Sequence, residues 1–318
     1  MDSVARRRPA PLAAIAALRP KQWAKNVLML PAIIFSEAIS NPAEWVHLGI
    51  AILSFSLLAS TGYIINDWRD IEADRRHPKK RFRPLASGEL TESGAWGLMA
   101  LSFLSALGLA WFVSPYFFVV SLLYFATTLS YSIYFKHIVI LDVMFLAACY
   151  LWRPVAGAVA ISVAISPWLL LCTAFLALFL GFNKRRGEIM LLEGVGGTRK
   201  SLDEYSPAML SEFQAITTSG TIISYALYTV LGSPTDWLLL TLPFVLFGIF
   251  RYIYLMDQKG EGAAPDETLL RDRPILLTCV LYLIVAVAVL GVAPRSDRHP
   301  GAASVDRAAA PVERTAAP

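Results

Sequence analysis

Nine stretches of this chain are apolar over lengths that suit a bilayer: about 22–38, 45–66, 94–113, 115–135, 138–162, 167–183, 212–232, 236–256 and 274–293. Crossing roughly 30 Å of hydrocarbon takes about 20 helical residues. Without water to serve the backbone, only a helix or a closed barrel satisfies its own N–H and C=O groups. The expected fold is therefore all-α, a polytopic membrane protein of about nine transmembrane helices. The first stretch is the weakest, because Lys21, Lys25 and Asn26 sit at its start and Pro31 interrupts it. Composition agrees: 56% of the 318 residues are hydrophobic and 16% charged, which excludes a disordered or collagen-like chain and argues against an ordinary cytosolic enzyme.

The connections sort by charge. Those near 37–44, 113–116, 163–167 and 232–236 contain no Lys or Arg. The other side carries Arg6–Arg8, Arg19–Lys25, seven basic residues from Arg69 to Arg83, Lys136, Lys184–Arg186, Arg199, Lys200, Lys259, Arg271 and Arg273. The positive-inside rule makes that face cytoplasmic, in a multi-pass protein of the plasma membrane. The expected division is a cytoplasmic N-terminal segment over 1–18, a transmembrane catalytic unit over 19–293 and a disordered Ala/Pro/Arg-rich tail over 294–318. No cleavable signal is expected at the N-terminus. A net charge of +4 gives no ground for a nucleic-acid partner. Cys149, Cys172 and Cys279 lie inside apolar runs, and His47, His77, His137 and His299 are scattered, so neither a disulfide framework nor zinc chemistry is expected.

Two polar constellations stand out on the cytoplasmic side. At the end of the second stretch come Asn66, Asp67, Asp70 and Asp74. At about 100° per residue they fall at about 0°, 100°, 40° and 80°, one stripe of a helix leaving the membrane. Carboxylates so placed repel one another unless a cation lies between them, and hard oxygen ligands favour Mg²⁺. A span that ends in polar residues on reaching water explains Glu72, Arg75 and Arg76, but it suits short acidic side chains directly after an apolar run less well. The basic run Lys79–Arg83 has two readings: an anchor on anionic lipid, or a fold-back over the carboxylates to hold phosphates.

The second constellation, Gly181-Phe182-Asn183-Lys184-Arg185-Arg186-Gly187-Glu188, opens the connection after the sixth stretch, and Arg199 to Tyr205 close it. Lys184 and Glu188 make an i, i+4 pair. Deeper in the fifth stretch lies Arg153, which should face a carboxylate, a phosphate or water, with Asp142 on the same helix one such carboxylate. Arg251 reads as the cytoplasmic end of the eighth stretch and receives no role.

The pattern Asn66-Asp67-x-x-Asp70-x-x-x-Asp74, in a chain with enlarged connections after the second and sixth stretches, resembles the UbiA superfamily of intramembrane prenyltransferases across about residues 19–293. The resemblance implies helices around a central cavity, with Asp67, Asp70 and Asp74 binding Mg²⁺ and Asn66 assisting at a diphosphate. The chain departs from the usual pattern at the second Asp-rich motif, which reads Asn183 to Glu188 instead. One acidic wall facing a basic wall looks like a branch of the superfamily that moves 5-phosphoribosyl from phosphoribosyl diphosphate (PRPP) to a polyprenyl (decaprenyl) phosphate in arabinan cell-wall precursor synthesis. On that resemblance Asp67, Asp70 and Lys184 are catalytic. Lys21, Lys25, Lys80, Arg83, Lys136, Arg153, Arg185, Glu188 and Arg199 belong to the substrate site, and Tyr131 and Tyr205 hydrogen-bond ribose or phosphate. The alternatives are conventional prenyl transfer to an aromatic or haem acceptor, or a transporter. Monomer and homo-oligomer both remain open.

Overall fold

The computed structural model describes residues 8–77, 80–192, 202, 204–259, 268 and 271–293. In chain order its helices are α1 (Ala10–Leu18), α2 (Pro31–Ile34), α3 (Pro42–Arg69), α4 (Ile71–Arg76), α5 (Glu92–Val113), α6 (Pro115–Ile133), α7 (Leu141–Ala160), α8 (Pro167–Leu192), α9 (Pro207–Leu227), α10 (Leu242–Lys259) and α11 (Arg273–Val292). The expected tail over 294–318 and residues 1–7 lie outside the described residues. What is described of the N-terminal segment is no separate unit, since α1 packs on α3 and buries Ala13 and Ala17.

Seven helical stretches are long and apolar enough to cross a membrane: Pro42–Arg69, Glu92–Val113, Pro115–His137, Leu141–Ala160, Pro167–Met190, Asp236–Gln258 and Arg273–Val292. Two of the nine expected stretches, the first and the seventh, are not among them. The first is broken: a 3₁₀ stretch, Pro20–Met29, precedes the four-residue α2. Its prolines lack the N–H that a continuous helix needs. The seventh is a long helix, α9, running into a π turn over Tyr228–Gly232, but it is too polar to qualify. Its hydroxyls bond back to their own helix, Thr217 to the Phe213 carbonyl and Thr221 to the Thr217 carbonyl at 2.7 Å, and Ser224 to the Gly220 carbonyl at 2.6 Å. This is the usual way for such side chains to be buried in a helix.

One apolar cluster joins α3, α5, α6 and α7 with the 3₁₀ stretch through Met29, Ile33, Phe55, Phe117 and Tyr124. Two more join α8 to α10 and α11. Outward positions of α5 and α11 such as Leu104, Phe112, Leu277 and Ile284 are exposed, as lipid-facing side chains should be. The three cysteines are free.

The 3₁₀ stretch carries Lys21, Lys25 and Asn26, and its placement depends on Gly157 of α7. A Cβ there would stand 2.4 Å from the Met29 carbonyl oxygen and 2.9 Å from its Cα. Backbone cannot yield as a flexible side chain does, so Gly157→Ala should destabilise the protein by about 1–3 kcal/mol, the usual cost of overpacking. Denaturation in detergent measures it; an unchanged transition would show that the two backbones are not in contact.

Candidate active site

Helix α3 ends at Arg69, and Asp70 takes φ −96°, ψ 9° before α4 begins. Two i→i+4 bonds cross the kink, Asp70 N–H to the Asn66 carbonyl (3.0 Å) and Asp74 N–H to the Asp70 carbonyl (2.8 Å). Asp67 and Asp74, both buried, then converge on one atom. Arg83 Nη1 lies 3.0 Å from Asp67 Oδ1 and 2.6 Å from Asp74 Oδ2. The fold-back reading is the one Arg83 takes, while Lys79 lies outside the described residues. Arg19, at the left-handed end of α1 (φ 53°), grips Asp67 from the other side, with Nη2 2.7 Å from Oδ2. Its guanidinium also lies over the Tyr63 ring at 5.0 Å.

Asp70 does not join them. It is a third exposed and faces Lys136, whose Nζ lies 3.8 Å from Oδ1 and 3.5 Å from Asn66 Oδ1. Among the described residues no three acidic, His or Cys side chains stand close enough together to hold a metal ion. Of the expected Asp67–Asp70–Asp74 set, Asp67 and Asp74 are brought together and Asp70 stands beside them, facing Lys136. The regular helical step breaks at Asp70, and the Arg83 guanidinium alone bridges Asp67 and Asp74, while Arg19 holds Asp67.

The second constellation is not a loop. Helix α8 continues nine residues past the expected end of its span, so Asn183 to Glu188 are helical. Arg185 is fully buried, with Nε 2.7 Å from Asp142 Oδ2, Nη1 bonded to Glu188, and Nη2 donating to Tyr131 Oη at 3.4 Å. Glu188 therefore pairs with Arg185. Tyr205 donates to Asp142 Oδ1 and accepts from the Ile140 N–H, both at 2.7 Å. Burial, and then the bond to Asp142, hold the Tyr205 hydroxyl well above the ordinary tyrosine range, so it remains a donor. Ile140 has φ 67°, a strained value for a β-branched residue. Arg185, Glu188 and Tyr205 thus hold one another and the fold. The sequence places all three in the substrate site; in the fold each is engaged with the others or with Asp142.

The end of α6 joins the two constellations. Tyr131 accepts from Arg185, the Ser132 carbonyl accepts from Arg69 Nη1 at 3.4 Å, and Lys136 reaches Asn66 and Asp70. The two walls share one end of the bundle, but each is mixed in charge. Arg19 and Arg83 stand in the acidic one, and Asp142 and Glu188 in the basic one.

The remaining candidates are spread out. Lys184 is half-buried beside Arg185. Lys80 is half-buried and Lys21 exposed, and neither ammonium reaches a partner among the described residues. Lys25 Nζ lies 5.8 Å from the centre of the Tyr150 ring. Arg153 bonds Asn26 at 3.1 Å instead of pairing with Asp142. Arg199 lies outside the described residues. Arg251 pairs with Asp272 at 3.0 Å and Arg186 with Asp257 at 2.7 Å, both away from the site. Sequence reasoning gave no role of their own to Arg19, Asn26 or Tyr63, and offered Asp142 only as a partner for Arg153. Only the charge of Arg19 and Asp142 beside apolar runs signalled them.

A helical membrane bundle with carboxylates and guanidiniums interleaved at one end is the architecture of an intramembrane transferase, and the chain belongs to the UbiA prenyltransferase family, whose profile matches residues 28–271. It is similar to decaprenyl-phosphate phosphoribosyltransferase of Corynebacterium glutamicum, 34% identical over 290 residues that span 88% of this chain and 87% of the relative. It is also similar to the enzyme of that name from Mycobacterium tuberculosis, 33% identical over 299 residues that span 91% and 98%. Its fold matches a UbiA homolog from Archaeoglobus fulgidus bound to GPP and Mg²⁺, with TM-score 0.68 at 20% identity, covering 88% of this chain and all of that one.

Proposed function

We propose that this protein transfers 5-phosphoribosyl from PRPP to a polyprenyl phosphate, decaprenyl phosphate in the relatives' names, and releases diphosphate. Such a transfer would be a step of arabinan cell-wall precursor synthesis. The observation that carries the proposal is the interleaving of guanidiniums with the carboxylates. A donor phosphorylated at both ends and an acceptor that is itself a phosphate need cations in several places, and Arg matches phosphate oxygens with a planar fork. Relatives named for this chemistry, similar over nearly the whole chain, support it.

The carboxylates suit Mg²⁺. One Asp67 oxygen and one Asp74 oxygen already face a single cationic atom, at 3.0 and 2.6 Å, and hard oxygen donors are what that ion takes. Asp67 and Asp74, with Asn66 and Asp70 beside them, would hold it, and it would supply positive charge to offset that on a departing diphosphate. Arg83, with its guanidinium a quarter exposed, turns from the carboxylates to phosphate oxygens. Arg19 keeps Asp67 oriented. Lys136 and Lys184 supply ammonium groups to phosphates on the other wall, and Arg185 stiffens that wall from behind. The lipid phosphate is ionised at neutral pH, so its attack on the anomeric carbon needs no strong base. Clustering of Arg19, Arg83, Lys136, Lys184 and Arg185 at one end supports a cytoplasmic site, where a soluble sugar phosphate meets a membrane-bound lipid.

Purified protein given labelled PRPP and polyprenyl phosphate should yield a labelled lipid with the mass of a polyprenyl-phosphoryl ribose phosphate. EDTA should stop turnover and Mg²⁺ restore it. Label entering lipid product from polyprenyl diphosphate, and none from PRPP, would make the protein a conventional prenyltransferase.

A further inference from the structure

Three basic side chains are buried among the described residues: Lys136, Arg153 and Arg185. Lys136 faces Asp70, and Arg185 lies between Asp142 and Glu188. Arg153 faces no carboxylate among the described residues. Its Nε donates to Asn26 Oδ1 at 3.1 Å, its Nη1 to the Cys149 carbonyl, and its Nη2 to Tyr124 Oη at 3.5 Å. The guanidinium also lies over the rings of Tyr150 (5.0 Å) and Tyr124 (5.6 Å). Every one of these partners is neutral. Arginine does not deprotonate in proteins, and a buried charge is costly without a counter-charge. Lys25 approaches the same Tyr150 ring at 5.8 Å, a second cation at this level.

The level can be measured along two helices. Arg153 follows Asp142 by eleven residues on α7, and Ser56, which holds Asn26 at 2.9 Å, precedes Asp67 by eleven on α3. At 1.5 Å per residue both place the Arg153 backbone about 16 Å deeper than the carboxylates, and its guanidinium, bonded to the Cys149 carbonyl one turn back, about 10 Å deeper. Such a cation is remote from the departing diphosphate and from the anomeric carbon beside it. It lies where the far end of a donor held by its diphosphate would reach.

We propose that Arg153, with Asn26 and Lys25, receives a phosphate monoester, the 5-phosphate of the sugar donor. The lipid phosphate is the other source of the same chemistry. Which of the two it takes rests on the transfer reaction proposed above; binding of a phosphate monoester at Arg153 does not.

The decisive variant is Asn26→Asp, which places a carboxylate where the amide oxygen now meets Arg153 and so supplies the counter-charge internally. The full-length protein in detergent, free of metal, is titrated with ribose 5-phosphate and separately with farnesyl phosphate, and melting is recorded without ligand. Asn26→Asp should melt higher than wild type and bind ribose 5-phosphate at least about tenfold more weakly, the loss of one charge-assisted bond. Arg153→Met should show the same loss of binding, and PRPP KM should rise with the lipid KM unchanged. Weakened farnesyl phosphate binding alone, with a raised lipid KM, would assign the site to the acceptor. If Asn26→Asp leaves both affinities at wild-type values, the proposal is overturned, whatever its melting point and whether or not Arg153→Met folds. Wild-type protein that binds ribose 5-phosphate through Arg153 but transfers nothing from PRPP would retain the site and lose the reaction.

Discussion

Asp67→Asn should lower transfer by about a thousandfold or more while leaving the protein folded. A metal at the leaving group contributes several kcal/mol to transition-state stabilisation, and each 1.36 kcal/mol is a factor of ten. The amide keeps the shape and one acceptor for Arg19 but removes the charge that a divalent ion needs. Arg83 would still have Asp74 at 2.6 Å, and Arg19 is a quarter exposed, so neither cation is stranded in the interior. Asp74→Asn should behave alike. Asp70→Asn should cost less, because Asp70 faces Lys136 and stands apart from the converging pair. Turnover with PRPP, Mn²⁺ binding and circular dichroism together check this. Full activity in both Asp67→Asn and Asp74→Asn would remove the metal from that position.

Arg185→Ala should destabilise the fold by about 3–5 kcal/mol, the cost of leaving a buried partner charge uncompensated. Asp142 is fully buried and would retain only Tyr205 and a backbone N–H as donors. Since whole proteins are stable by only about 5–15 kcal/mol, the loss should be plain in a denaturation curve. Arg185→Met combined with Asp142→Asn should recover much of it, because removing both charges leaves neither stranded. Wild-type stability in Arg185→Ala would mean that the pair is solvated.

The helices were legible because length and apolarity are local properties, and the membrane requires them. Asp67, Asp70, Asp74 and Arg83 were legible as a short-range pattern. What escaped depended on long-range pairing. Nothing near residue 19 shows that its guanidinium meets Asp67, and nothing near Asp142 names Arg185 and Tyr205. The same blindness misplaced the end of α8. A run of charge reads as arrival in water, yet Arg185 is buried because Asp142 and Glu188 neutralise it, so the helix runs on. The first stretch is broken for another reason. Its residues are apolar on average, but Pro20 and Pro31 deny it a continuous hydrogen-bond ladder, and Gly157 lets the resulting 3₁₀ stretch lie close against α7.

The hydroxyl-rich helix α9 has a consequence for how the chain enters the bilayer. Hydrocarbon gives it little reason to partition alone, since its serines and threonines weaken the signal by which an insertion machinery sorts segments. Its most extensive contact is with α8, the helix before it, which is apolar enough to insert unaided. During synthesis α9 should therefore cross only as the second arm of an antiparallel hairpin. A ribosome stalled before that hairpin is complete would leave it outside the lipid.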